Sequence, residues 1–256
     1  MCPLTHSVQV EDLKSILIEP SDDEQETYDS PRSSLSQHPS FMFGYSSSAV
    51  DMLSLHPHPE KVLEYWTIYK ENVDPLVKVL HLPSFEPTVL DAFTHLDRVP
   101  KGLECFLFTI YYGAVTSLSN EDCIQRWGEE RDALLARYRF GLEQGLARAN
   151  FLYADEMIIL QAFLVFLTLL RRNDDARKIY TLSGLMVRIA QTLGIHRDGS
   201  HFNLSPFEAE MRRRLWWQIC VLDARSSEDH GADPSIVPAQ FDTKMVRIYA
   251  SGLVLC

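Results

Sequence analysis

The 256-residue sequence predicts an all-α protein, and three observations carry that prediction. Apolar residues recur at spacings of three and four over most of the chain beyond residue 60. No stretch alternates convincingly with period two, and no Asn-Gly or Asp-Gly pair stands between apolar runs, so hairpins have no signal. Helix start and stop residues also fall where the periodic segments begin and end.

Taken in order, residues 1–50 come first, with eleven serines, eight acidic and two basic residues. The run SDDEQETYDS (Ser21–Ser30) cannot bury enough apolar surface to offset the entropy of ordering it, so this segment is expected to be disordered. Ser30-Pro31 fits a proline-directed phosphorylation site only as a two-residue match. After LHPHPE, Glu60–Val73 sets Leu63, Trp66, Tyr69 and Val73 at helical spacing until Pro75 interrupts. Gly102–Leu118 is a second apolar helix. Glu121–Asn150 reads as one long amphipathic helix, with Trp127, Leu134, Leu135, Tyr138, Leu142, Leu146 and Ala149 on a stripe. Asp155–Arg172 opens on acids and closes on arginines, which suits the helix dipole. Asp175–Leu193 is stopped by Gly194, a residue favoured just past a helix end. The last helix starts at Ser205, where SPFE supplies an N-cap, a proline at the first helical position and Glu208 as the capping-box partner. Short connections such as Ile195–Leu204 favour antiparallel neighbours.

Composition excludes several function classes. The formal net charge is -11, so long-range electrostatics repel phosphate, and an autonomous basic DNA-binding module is not indicated. Five scattered cysteines without a C-x-x-C pair suggest neither a zinc site nor a disulfide framework, and favour a reducing compartment. The N-terminus carries no signal-peptide pattern. The longest apolar run, Met157 to Leu170, is too short to span a bilayer, so no membrane role is expected.

The stretch EMRRRLWWQICVLDARSSEDHG (Glu210–Gly231) tests the nucleic-acid reading. On a helix, Arg212, Arg213 and Arg214 lie about 100° apart and cannot line one groove. Each has an acid one turn earlier, Glu208 or Glu210, in the favourable order. From Leu215 the helix is apolar nearly all round, with Trp216 and Trp217 inside that run, so it is read as buried architecture and not a stacking platform. Asp223 ends the apolar run and needs a partner. Arg188, inside LMVRIAQTLG, is the first choice for a partly buried ion pair, with Arg197 and Arg225 as alternatives.

Catalytic constellations are weak. No phosphate-binding glycine loop, serine-hydrolase elbow or zincin motif occurs. His56 and His58 form a poor ligand pair between prolines. His196, Asp198 and His201 could be drawn as an acid–base group, and so could Glu228, Asp229, His230 and Asp233. Helix-end and loop hydrogen bonding explains both more simply. No nucleophile is paired with a base, so no enzyme, no catalytic residue and no cofactor or metal site is expected.

Three stretches together carry a resemblance: YWTIYKENVDPLVKVLHLPSF (Tyr65–Phe85), YTLSGLMVRIAQTLGIHRDG (Tyr180–Gly199) and LSPFEAEMRRRLWWQICVLDARSSEDHGADPSI (Leu204–Ile236). They resemble the fungal-specific transcription factor domain, or middle homology region, of the zinc binuclear cluster regulators. The match lies at Gly194-Ile195-His196-Arg197-Asp198, at Glu210 to Trp217, and at Leu222-Asp223-Ala224-Arg225, and it covers roughly residues 50–244. The resemblance implies a nuclear, helical regulatory domain acting in transcription of metabolic or secondary-metabolite genes. It makes His196, Arg197, Asp198, Arg212, Arg213, Arg214, Trp216, Trp217, Asp223 and Arg225 a structural signature.

The family's six-cysteine zinc cluster is absent from this sequence, so DNA binding is expected only indirectly, through a missing or separate cluster. Phe241–Lys244 fits the family pattern, and the segment 245–256 diverges from it. The expected domain is therefore 51–244, and the expected chain is the middle of a longer regulator. The alternatives are a short interaction protein that modulates full-length relatives or other transcription regulators, and a small-molecule sensor.

Overall fold

The computed structural model describes residues 50–153, 155–171 and 176–246. The chain divides after Gln37 into two units, and every described residue lies in the second. The expectations of disorder in 1–50 and of divergence in 245–256 therefore fall outside the described residues, apart from Val50, Met245 and Val246.

The described residues form eight α-helices, short 3₁₀ turns and no strand. The helices are α1 (Pro59–Asn72), α2 (Leu82–Thr94), α3 (Lys101–Thr116) and α4 (Asn120–Trp127). They continue with α5 (Arg131–Arg148), α6 (Met157–Leu170), α7 (Ala176–Thr192) and α8 (Pro206–His230). The all-α expectation holds. No described helix is long and apolar enough to cross a membrane.

Helix α3 is the axis of the bundle, buried at every residue from Gly102 to Thr116. Its apolar side chains run all round, so it must be enclosed. Helices α1, α5 and α6 pack around it, while α7 and α8 pack on each other and on α6. The approach of α5 to α3 is close because α5 carries glycines there. A Cβ on Gly141 would sit 2.5 Å from the Phe108 ring, and one on Gly145 would sit 3.0 Å from the Cys105 Cα.

Three local expectations are corrected. Helix α2 was not foreseen, because prolines at positions 83 and 87 mask it; Pro83 sits in its first turn, where a missing N–H costs nothing. The Glu121–Asn150 helix is two helices. Ser119 caps α4 with a capping box, and Gly128 ends it in the left-handed conformation, φ 73°. Leu63 is 53% exposed instead of buried. Tyr65, Trp66 and Tyr69 face inward, because α1 is oriented by aromatic packing. Tyr65 stacks on Trp127 at 4.1 Å and accepts a 3.0 Å hydrogen bond from the Tyr138 hydroxyl.

The capping box at Ser205 is present, with the Glu208 N–H donating to the Ser205 hydroxyl and Ser205 N–H donating back to the Glu208 carboxylate. Gly231 closes the same helix at φ 73°. Ser205→Ala should lower stability by about 1 kcal/mol in a urea titration. An unchanged midpoint would mean that packing alone sets the start of α8.

A largely buried histidine predicts a pH response. His56 lies against Phe108 at 4.5 Å, shares a 3.2 Å hydrogen bond with Tyr111, and is pushed down to about 4 by burial. Its folded value is below the unfolded one, so between pH 6.5 and about 4 the unfolded chain binds more protons. Stability should therefore fall with acidification across that window, by about 3 kcal/mol at about 1.4 kcal/mol per unit. His56→Phe should flatten the dependence of the urea midpoint between pH 7 and 4.5, whatever its effect at pH 7.

Candidate functional site

Most of the signature residues converge around the junction where α7 ends and α8 begins. Helix α7 stops at Gly194, φ 71°, and the Ile195 N–H donates back to the Ala190 carbonyl. The chain then turns through His196, Arg197 and Asp198 into the 3₁₀ turn Gly199–Phe202. Gly199 has to be glycine for this crossing, since a Cβ would come within 2.9 Å of the Ala209 backbone on α8.

Asp198 is fully buried and sits at the centre. The Arg213 guanidinium donates to it through two nitrogens, Nε to Oδ2 and Nη2 to Oδ1, both at 2.8 Å. The Ser200 N–H and hydroxyl donate to Oδ1 at 3.1 and 2.6 Å, and the Lys244 N–H donates to Oδ2 at 2.9 Å. A carboxylate offers about four lone-pair sites, and here all are used. The Arg213 guanidinium and these further donors hold the Asp198 carboxyl well below the usual range, against the opposing effect of burial. Such a group stays ionised at neutral pH and has no spare lone pair with which to move protons.

The segment Phe241–Lys244 closes over this pair like a strap. Asp242 accepts from the Asp198 N–H at 2.7 Å and from Arg197 at 3.1 Å, while its own N–H donates to the His196 carbonyl. The Thr243 hydroxyl donates to the Ile195 carbonyl at 2.9 Å. Trp217 Nε1 donates to the Lys244 carbonyl at 2.9 Å. Phe241 packs on both tryptophans, with ring centroids 5.5 Å from Trp216 and 5.6 Å from Trp217. Trp216 is fully buried, and its other ring neighbour is His196 at 6.1 Å.

The three arginines go three ways, as their helical fan requires. Arg212 donates to the Leu193 carbonyl at the end of α7, at 3.1 Å. Arg213 takes Asp198. Arg214 faces Glu210 at 3.7 Å and adds its charge to the surroundings of buried Asp74, whose carboxyl burial pushes up while Lys78 opposes. These arginines face a carbonyl and carboxylates of the protein itself.

The Arg188–Asp223 pair does not form. Arg188 lies on the exposed side of α7 and donates to Gln191 Oε1 at 3.1 Å. Asp223 is fully buried, and its Oδ2 accepts the Ile236 N–H at 2.9 Å. The alternatives fail as well: Arg197 pairs with Asp242, and Arg225 is exposed on α8, its charge acting on Asp229. Helical periodicity gave Asp223 the correct burial, but the returning loop after Gly231 supplied its partner. The signature thus brings together His196, Arg197, Asp198, Arg213, Trp216 and Trp217, with Arg212 at the edge. Arg214, Asp223 and Arg225 lie elsewhere. Phe241, Asp242 and Lys244 escaped the sequence reading as cluster members, although FDTK was visible as a matching motif.

The model of the fungal specific transcription factor domain matches residues 62–246. The chain belongs to that family. Relatives include the aurofusarin cluster transcription factor aurR2 of Gibberella zeae, 38% identical over 73% of this chain and 29% of that protein. The pyriculol/pyriculariol biosynthesis cluster transcription factor 1 of Pyricularia oryzae is 37% identical over 77% of this chain and 26% of its own length. The C6 finger domain transcription factor hasF of Aspergillus fumigatus is 35% identical over 83% of this chain and 31% of its own. The chain therefore spans less than a third of the length of these curated relatives. No solved structure matches it. The family is a transcription-factor domain and not a catalytic one. Among the described residues no group of three His, Cys, Asp or Glu could hold a metal ion.

Proposed function

We propose that this chain is the regulatory domain of a nuclear fungal transcription factor controlling a set of secondary-metabolite genes. DNA recognition then comes from a zinc cluster outside this domain. One observation carries the assignment of roles: Arg212 and Arg213 are spent on Leu193 and Asp198, which leaves the most basic stretch of the chain as internal scaffolding. Relatives named as biosynthesis-cluster and C6 finger regulators support the target class and the zinc cluster.

Deleting the gene and sequencing transcripts tests the reading. A coordinated fall or rise confined to one co-located biosynthetic gene set is expected, and an unchanged transcriptome would overturn it. The purified chain should form no sequence-specific, salt-sensitive complex with duplex DNA. Such a complex would return DNA contact to this domain.

A further inference from the structure

Arg188 stands out once its predicted carboxylate is gone. In a chain with 35 acidic and 24 basic residues, it makes no ion pair among the described residues, and its hydrogen bond goes to the neutral Gln191 amide. It borders a cleft of about 330 Å³ between α7 and the segment Ser235–Gln240. We propose that this cleft binds a small organic carboxylate, with Arg188 as its anchor.

Each wall of the cleft has a physical origin. Gly184 lies one turn before Arg188 on α7, and a Cβ there would meet nothing within 4 Å, so the space beside the guanidinium is open. Leu185 and Val187 give the cleft apolar surface. Gln191 holds the Arg188 fork from one side while leaving most of its five N–H donors free. The opposite wall, with Ser235 and Gln240, is fixed from beneath. Buried Asp223 grips the Ile236 N–H at 2.9 Å, and Gln240 Oε1 accepts the Val237 N–H at 3.3 Å. The buried Asp223 thus builds the wall that faces Arg188.

The chemistry selects the ligand class. A planar guanidinium fork matches a carboxylate through two parallel hydrogen bonds. The Ser235 hydroxyl and the Gln240 amide suit a hydroxyl or amide elsewhere on the ligand. The apolar side of the cleft gives an organic body contact that an inorganic anion cannot use. The volume is at the small end of ligand sites, which run from about 300 Å³ upward, and suits a small molecule. This site goes beyond the regulatory reading and stands on its own geometry.

The test is a calorimetric titration of the full chain with 4-hydroxybenzoate, 4-hydroxybenzamide and inorganic phosphate. Saturable binding of the benzoate is expected, with the amide and phosphate at least about tenfold weaker, a 1.4 kcal/mol difference. Arg188→Gln should lose at least tenfold for the benzoate at an unchanged urea midpoint, and Arg225→Gln should lose nothing. Gly184→Leu, which fills the open space, should abolish binding. The proposal is overturned if the benzoate shows no saturable binding, if amide or phosphate binds as tightly, or if Arg188→Gln binds like the parent. These readouts are independent of transcript levels, so failure here leaves the regulatory role standing.

Discussion

Asp198→Ala is expected to lower stability by about 3–5 kcal/mol, because it leaves the Arg213 charge buried without its partner. Arg213 is 5% exposed and Asp198 is fully buried, so water cannot replace the lost bonds. The loss is a large share of the 5–15 kcal/mol that a domain typically holds, and the variant should give little soluble protein. Arg213→Lys keeps the charge but cannot make two parallel bonds, so it should fall between parent and Asp198→Ala. The double variant Asp198→Leu/Arg213→Met should recover only part of the loss: neither member of the pair is then stranded, but the Ser200 and Lys244 N–H groups still lose their acceptor. Urea midpoints of the four proteins decide the matter. Equal midpoints for Asp198→Ala and the parent would mean that the pair does no more than an exposed one. The same pair contributes on the acid side. The folded Asp198 value is depressed, so its stabilisation is complete above about pH 4 and is lost as pH falls toward that depressed value.

Trp216→Ala should cost a similar amount, about 3–5 kcal/mol, from lost burial and the cavity left under Phe241. Trp216 is fully buried, and Phe241 and His196 are its aromatic neighbours. Its indole N–H has no hydrogen-bond partner, so Trp216→Phe strands no acceptor and should keep most of the stability. Trp217 differs in kind. It is less buried and tethers the strap through the Lys244 carbonyl. Trp217→Ala should therefore expose segment 241–244 to hydrogen exchange before it lowers the global midpoint. If both alanine variants shift the midpoint equally, the strap is no separate unit.

The sequence by itself determined the all-α class, most of the helices and the capping box at Ser205. All of these depend on groups within about one helical turn of each other, such as Ser205 with Glu208. It determined less where a helix could be interrupted. Gly128 and the α2 prolines were present in the chain, but periodicity across 121–150 concealed the break, because both halves bury apolar residues, Cys123 and Trp127 in α4 and Leu134, Tyr138 and Leu142 in α5. Only the tertiary structure decided which charge meets which. Asp198 meets Arg213 fifteen residues on and the Lys244 N–H forty-six residues on. Asp223 meets a backbone N–H of the returning loop in place of Arg188. A buried carboxylate declares in sequence that it needs partners. Which donors reach it depends on how the chain closes after α8, and no local spacing encodes that closure.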